Sequence, residues 1–394
     1  LEHAPPAVAR DGFDVVIANG RVMDPETGLD AIRHVGIRDE TVAAISAEPL
    51  QGEVEIDATG LVVAPGFIDL HAHGQCSRSN EFQAMDGVTT ALELEIGVPD
   101  VARFLASREG HAVVNFGATI GHGPLRSWAM PEHEQQVERI VAEFGISGDD
   151  CRDVFEAFGA GTRPGRHEAL PEARYPVLRE RLAQGLRDGA LGIGIAHQYY
   201  PGVTHDEIFR VFQFAAERRA PVFTHVRSMG VAAVQEVVSN AVATGASLHI
   251  VHLNSSSLGQ YRTNLDLILG ARARGADITA ESYPYTAAST DIGSAMFDDG
   301  WQELLQIGYE DLQLQETGER LTAETFPRHR EQGGLVIMHM MKPEWIRALL
   351  AEPDVMVASD GMPYAPGAHP RSAGTFARFL GRYVRDEGVL PLLP

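Results

Sequence analysis

Residues 61–73 read LVVAPGFIDLHAH, an apolar run that ends in two histidines one position apart. The run has the length of a buried strand, and the side chains at its end bind metals and hydrogen-bond rather than fill a core. Seven more such runs follow: VTTALELE (88–95), VVNFGATIG (113–121), LGIGIA (191–196), PVFTHV (221–226), LHIVHL (248–253), ITAESYPY (278–285) and VMVASD (355–360). Between them lie stretches with helical spacing, among them EHEQQVERIVAEFG (132–145), PVLRERLAQGLRDG (176–189), HDEIFRVFQFAAERR (205–219) and LDLILGARARG (265–275). A strand-then-helix unit repeated eight times predicts an α/β fold with a parallel sheet closed as a (β/α)8 TIM barrel. An open doubly wound sheet would need a Gly-rich phosphate loop after its first strand, and the sequence has none there.

Outward from the barrel, residues 13–58 carry shorter alternating segments, FDVVIANGRVMD, HVGIRDETVAAIS and GEVEIDATG, which predict a small sheet with Asn19-Gly20 as a hairpin turn. A ninth apolar run, GLVIMHMM at 334–341, falls in the long stretch between the seventh and eighth barrel strands. The expected organisation is therefore a small β domain over 1–62 and a barrel over 63–394, with an insertion at about 291–352 over its mouth.

Composition narrows the partners. The 394 residues hold 54 acidic and 32 basic side chains, a formal charge of −22 that repels nucleic-acid phosphates and anionic membranes. No apolar stretch approaches a membrane span. The expected partner is a small-molecule substrate, with no nucleic acid and no membrane, and composition leaves the oligomeric state open. Cytoplasmic placement is expected; because the sequence starts without methionine, a processed periplasmic or secreted form stays open as well. Cys76 and Cys151 are too few for a disulfide framework and do not form a C-x-x-C pair. Lys342 is the only lysine.

In a barrel of this kind function sits at the C-terminal ends of the strands. There the sequence places His71 and His73, Glu93 and Glu95, His225, His252 and Asp360. Imidazoles joined by carboxylates suit Zn2+, with Mn2+, Fe2+ or Co2+ as other candidates. Each histidine alone is more simply a satisfied core or surface residue; the force of the reading comes from four of them at successive strand ends. For Glu95 the plainer alternative is a glutamate paired with an arginine at the barrel mouth.

Gly66-Phe67-Ile68-Asp69-Leu70-His71-Ala72-His73-Gly74, Thr224-His225-Val226-Arg227, Ile250-Val251-His252-Leu253, Tyr283-Pro284-Tyr285-Thr286 and Ser359-Asp360-Gly361 occur in the order and at the intervals of the amidohydrolase superfamily, which the chain resembles. Its N-acyl-D-amino-acid deacylase (D-aminoacylase) branch is the nearer resemblance, through Gly189-Ala190-Leu191-Gly192, Tyr200-Pro201-Gly202, His122-Gly123-Pro124-Leu125-Arg126 and His369-Pro370-Arg371-Ser372-Ala373-Gly374-Thr375. The likeness covers residues 13–390.

The resemblance implies one or two divalent ions held by His71, His73, His225 and His252, with Asp360 as catalytic carboxylate and further ligand. It also implies a β-sandwich built from the N-terminal strands and normally completed by a C-terminal segment, whereas this sequence stops at Leu390-Pro391-Leu392-Leu393-Pro394. Two departures from the family pattern stand out. A carboxylated lysine on strand four is ruled out by the position of Lys342, and the cysteine often found after strand two is replaced by Leu94-Glu95-Ile96-Gly97, which makes Glu95 the proposed bridging or terminal ligand.

At strand six Asn254 stands where a substrate-binding lysine is common, so Arg371 becomes the candidate for the substrate carboxylate. Tyr283, Ser289, Asn254 and His122 complete the expected substrate-binding set, with Tyr283 alternatively a rigid packed corner. Arg126 beside His122 could take a second carboxylate, as in N-acyl-D-glutamate. The implied reaction is hydrolysis of N-acyl-D-amino acids by metal-activated water. The competing readings are a ring-opening hydrolase of the dihydroorotase or hydantoinase type and a non-catalytic barrel.

Overall fold

The computed structural model describes residues 12–143 and 164–392; Cys151, the first eleven residues and the last two lie outside them. The chain divides into two units, 1–66 with 391–394, and 67–390.

The first unit is a five-stranded sheet of β1 (Phe13–Asp24), β2 (Leu29–Arg38), β3 (Thr41–Ser46), β4 (Gly52–Asp57) and β5 (Val62–Val63). β1 pairs antiparallel with β2 and parallel with β4 and β5. The expected hairpin turn at Asn19-Gly20 is instead a bulge inside β1. Asn19 takes φ +61° and the register to β2 slips between Ile17 and Gly20, so the chain kinks without reversing. Reversal comes later, before Leu29, where Gly28 at φ +72° can adopt the left-handed conformation and Asp24 caps the turn through Thr27 Oγ1 at 2.6 Å. The expected first barrel strand also breaks. Val62–Val63 belongs to this small sheet, and the barrel strand proper begins past Pro65, which has no N–H to give to a ladder.

The second unit is an eight-stranded parallel sheet, in the order β16-β12-β11-β10-β9-β8-β7-β6. Its strands are β6 (Phe67–Asp69), β7 (Val88–Val98), β8 (Asn115–Gly121), β9 (Ile193–Ala196), β10 (Val222–His225), β11 (Leu248–Ile250), β12 (Ile278–Ser282) and β16 (Val355–Val357). The seam between β16 and β6 is closed by a bridge from Ala72 to Gly361, with His73 N–H donating to Gly361 O at 2.8 Å and Ser359 N–H to the Asp69 carboxylate at 2.9 Å. This is a TIM barrel. The amphipathic segments fold as helices where their spacing places them, including Tyr175–Arg187, His205–Arg218 and Tyr261–Arg272. They bury Leu178, Leu182, Ile208, Val211, Phe212 and Ile268 against the strands in one contiguous core.

Between β12 and β16 the chain builds a separate antiparallel sheet in the order β13-β15-β14, from β13 (Ala288–Asp291), β14 (Leu312–Leu314) and β15 (Leu335–Met338). It has its own apolar cluster around Phe297, Trp301, Leu305, Phe326 and Val336, which explains how so long a connection stays ordered.

Candidate metal centre

Strand β7 has an irregularity that positions the site. Glu93 pairs with Ala118 and Val98 with Ile120, so β7 advances five residues while β8 advances two. Residues 94–97, which face only Thr119 on β8, form a bulge, and bulges re-aim side chains. Thr119 Oγ1 pins it by donating to Leu94 O at 2.9 Å, and Gly97 turns it at φ +68°. A Cβ on Gly97 would sit 2.5 Å from Thr119 Oγ1 and 2.7 Å from Thr119 O, so the bulge requires glycine there. The result carries the Glu95 carboxylate, 3% exposed, into the barrel mouth.

Around it gather the histidines. Glu95 Oε2 lies 3.1 Å from Nε2 of both His71 and His73, while Oε1 lies 2.6 Å from His225 Nδ1 and 3.0 Å from His252 Nε2. One carboxylate thus shares its two oxygens between two histidine pairs. Asp360 Oδ1 approaches His71 Nε2 at 3.5 Å and His73 Nε2 at 3.6 Å. Three overlapping groups of donor atoms could each hold a metal ion: His71, His73 and Glu95; His71, His252 and Asp360; Glu95, His225 and His252. His252 and Asp360 both take positive φ, +34° and +52°, the kind of backbone strain that surrounding structure must hold in place.

A further set of residues orients these donors from behind. Glu281 on β12 accepts from His71 Nδ1 at 2.5 Å, from the His252 backbone N–H at 3.2 Å and from His249 Nε2 at 3.1 Å. Glu93 engages His73 Nδ1 at 2.7 Å, Gln198 Oε1 faces His225 Nε2 at 2.6 Å and Ser256 Oγ faces His252 Nδ1 at 3.1 Å. With its other ring nitrogen committed, each histidine has one left to face the centre. Sequence reasoning missed Glu281, His249 and Gln198. Glu281 had a signal: it stands inside the apolar run 278–285, one residue before β12 ends, at a position where side chains should be aliphatic.

Electrostatics follow from this crowding. Burial alone would lower His71, but Asp360, Glu281 and Glu95 outweigh it and hold its pKa well above the ordinary value. His73 is raised likewise, chiefly by Glu93 and Asp360 against the effect of burial. Burial would raise Glu95, yet His71, His225 and His252 hold it well below the usual carboxylate range. Asp360 is brought down to about 2 by Arg371 and His71 in spite of its burial. The carboxylates are therefore ionised, while His71 and His73 must each give up a proton to serve as ligands.

The other residues singled out in the sequence divide into two groups. Arg371, 1% exposed, places Nη1 2.9 Å from Asp360 Oδ2, donates from Nη2 to Ser289 O at 3.2 Å, and lies 5.0 Å over the Tyr283 ring. Arg371, Tyr283 and Ser289 are thus brought together beside Asp360; Ser289 Oγ and Arg371 Nε are buried with no hydrogen-bond partner among the described residues.

His122, Arg126 and Asn254 have other employment, which corrects the expectation that they line a substrate pocket. His122 Nε2 pairs with Glu207 Oε1 at 2.8 Å. Arg126 is saturated by Glu207 at 2.9 Å and by the carbonyls of Gly165 and Glu168. Both are locked into an ion-paired cluster with a helix on the barrel's outer layer. Asn254, fully buried, donates to Tyr283 O at 3.2 Å and fastens the Tyr-Pro-Tyr turn. Lys342 precedes the helix Pro343–Leu350 and holds its ammonium 5.4 Å over the Trp345 ring, so it contributes nothing to the centre.

The centre opens into a cavity that is partly open to solvent. His73, Glu93, Glu95, His225, His252, Ser255, Ser289 and Asp360 form its polar wall; Ile96, Val98, Phe104, Arg108 and five methionines, Met229, Met296, Met338, Met340 and Met362, form much of the rest.

A TIM barrel with four histidines and two carboxylates converging at the C-terminal ends of its strands has the architecture of a metal-dependent hydrolase. The chain belongs to the amidohydrolase family, whose pattern matches residues 54–300. It is 28% identical to the N-acyl-D-glutamate deacylase of Alcaligenes xylosoxydans xylosoxydans, over 97% of this chain and 81% of that one. It is 26% identical to the D-aminoacylase of the same organism, over 96% and 81%. Its fold matches the crystal structure of N-acyl-D-glutamate deacylase from Bordetella bronchiseptica, complexed with zinc and a phosphonate inhibitor, with a TM-score of 0.78 at 24% identity, covering 97% of this chain and 83% of that one.

Proposed function

We propose that this protein hydrolyses the amide bond of N-acyl-D-amino acids using a metal-activated water. The observation that carries the reading is the division of the Glu95 carboxylate between the His71/His73 and His225/His252 pairs, with Asp360 completing the group. The mixed imidazole and carboxylate donor set fits Zn2+ first. His71, His73, Glu95, His225, His252 and Asp360 would hold one or two such ions, which when bound lower the pKa of water and polarise an amide carbonyl.

The remaining roles belong to the chain. Asp360, ionised beside the centre, accepts the proton of the attacking water and returns it to the leaving nitrogen. Arg371 holds Asp360 in place through Nη1, and its unpaired Nε joins Ser289 Oγ and the Tyr283 hydroxyl as the donor group for the substrate α-carboxylate. The D-configuration and the linear amide come from the named activities of the relatives. The absence of any lysine other than Lys342 supports the same choice over a ring-opening hydrolase, since Glu95 would take the place of a carboxylated lysine among the ligands.

The test is hydrolysis by zinc-loaded protein of paired N-acetyl-D- and N-acetyl-L-amino acids, alongside dihydroorotate and hydantoin. Turnover of the D-series is expected. Activity on the cyclic compounds alone would overturn the proposal.

A further inference from the structure

Three arginines are buried in the described residues: Arg108, Arg126 and Arg371. Two have a carboxylate each, Glu207 for Arg126 and Asp360 for Arg371. Arg108 is 2% exposed, and its side chain has no hydrogen-bond or ion-pair partner among the described residues; Nε is fully buried and unsatisfied. Its one close neighbour of note is the Phe104 ring, 5.6 Å from the guanidinium. A buried charge without a partner is costly, and proteins keep such groups where a ligand completes them.

Arg108 also lines the cavity that holds His73, Glu95, His225, His252 and Asp360. It ends the helix Val101–Arg108, which follows the β7 bulge, and it shares its stretch of wall with Ile96, Val98 and Phe104. Those neighbours exclude water and strengthen any charge pair formed there. Burial alone depresses its pKa to about 10, with no opposing acid near enough to restore it. With a net charge of −22 the overall field repels anions, so an acidic substrate must be captured by a local cation.

We infer that Arg108 is the docking group for a second carboxylate on the substrate, remote from the scissile amide, and that the preferred substrates are N-acyl-D-amino acids carrying two carboxylates. The inference rests on the deacylase reading and deepens it. It replaces Arg126, which Glu207 already neutralises, as the source of acidic specificity. The planar guanidinium suits bidentate capture, and the flexible methionines that line the same cavity let the connecting carbons settle. The second carboxylate can reside on the amino-acid side chain or on the acyl group.

The experiment compares N-acetyl-D-leucine, N-acetyl-D-glutamate and N-succinyl-D-leucine with wild-type protein and the variants Arg108→Met and Arg108→Lys. Thermal melting verifies folding, which the methionine variant should retain because it fits the apolar wall. Wild type is expected to prefer one dicarboxylate; whether it is the glutamate or the succinyl compound locates the second carboxylate. Arg108→Met should lose about 10- to 100-fold in kcat/KM on that compound, mainly through KM, with the neutral compound within threefold and Arg108→Lys intermediate.

Equal losses on all three compounds, or no wild-type preference for a dicarboxylate, would overturn the inference and leave the deacylase reading standing. Hydrolysis of none would sink the deacylase reading instead. Calorimetric binding of glutarate then decides Arg108 separately: retained affinity in Arg108→Met refutes its role, and affinity confined to wild type supports it.

Discussion

Replacing Glu95 by glutamine keeps the shape of the bridge and removes its charge. Each carboxylate oxygen faces two histidine nitrogens at 2.6–3.1 Å, and the group is 3% exposed. Removing one partner from a buried charge cluster costs about 3–5 kcal/mol. At about 1.4 kcal/mol per decade, that is a loss of two to nearly four orders of magnitude in metal affinity. The amide also presents one oxygen instead of two, so the two histidine pairs no longer share a ligand. Zinc would be measured by elemental analysis after dialysis and by competition with a fluorescent chelator, with circular dichroism to verify the fold. Glu93→Gln, whose carboxylate touches His73 alone among the four histidines, serves as the milder comparison at about 10- to 100-fold. Wild-type stoichiometry and an affinity within threefold in Glu95→Gln would refute the bridging role.

Glu281→Gln should weaken zinc about 10- to 100-fold while leaving the ligands in place, because a neutral amide replaces the carboxylate that fixes and polarises the His71 ring; unchanged affinity in the same competition assay would contradict this. Glu207→Gln should cost about 3–5 kcal/mol in urea denaturation, since it leaves Arg126 and His122 buried without their anion. Glu207 has a folded pKa below its ordinary value, burial notwithstanding, through His122 and Arg126, so its contribution is complete above about pH 4.5 and is lost as pH falls. Acid unfolding curves of wild type and Glu207→Gln should therefore converge as pH falls through the lowered folded pKa of Glu207, and parallel curves would count against the linkage. Gly97→Ala should destabilise by about 1–2 kcal/mol for the left-handed backbone alone, with more from the clash at Thr119; a thermal melt equal to wild type would show that the bulge is not tied to glycine.

The barrel was legible because its strands are buried on both faces, and such strands read as plain apolar runs wherever they occur. The cluster of polar side chains at the strand ends was legible for the converse reason: His225 or Asp360 at the end of an apolar run departs from what packing alone would place there. Asn19-Gly20 misled because the same left-handed preference that makes a hairpin turn also makes a bulge, and only the cross-strand register to β2 tells them apart. His122, Arg126 and Asn254 misled because their partners, Glu207 and the Tyr283 carbonyl, are distant in sequence. Arg108 was hidden for a related reason. A basic residue in the last turn of a helix reads as a solvated partner of the helix dipole, and tertiary packing here turns it inward.

Five of the ten methionines in the chain line the cavity that holds the candidate metal centre. Thioethers are soft and conform to varied shapes, but they are also the side chains most readily turned into sulfoxides, which are polar and stiffer. Oxidant exposure would therefore act on this protein first as a change of pocket chemistry, narrowing and wetting the chamber while the barrel beneath stays folded. Mild peroxide should abolish binding before it lowers the melting temperature, and methionine sulfoxide reductases should restore it.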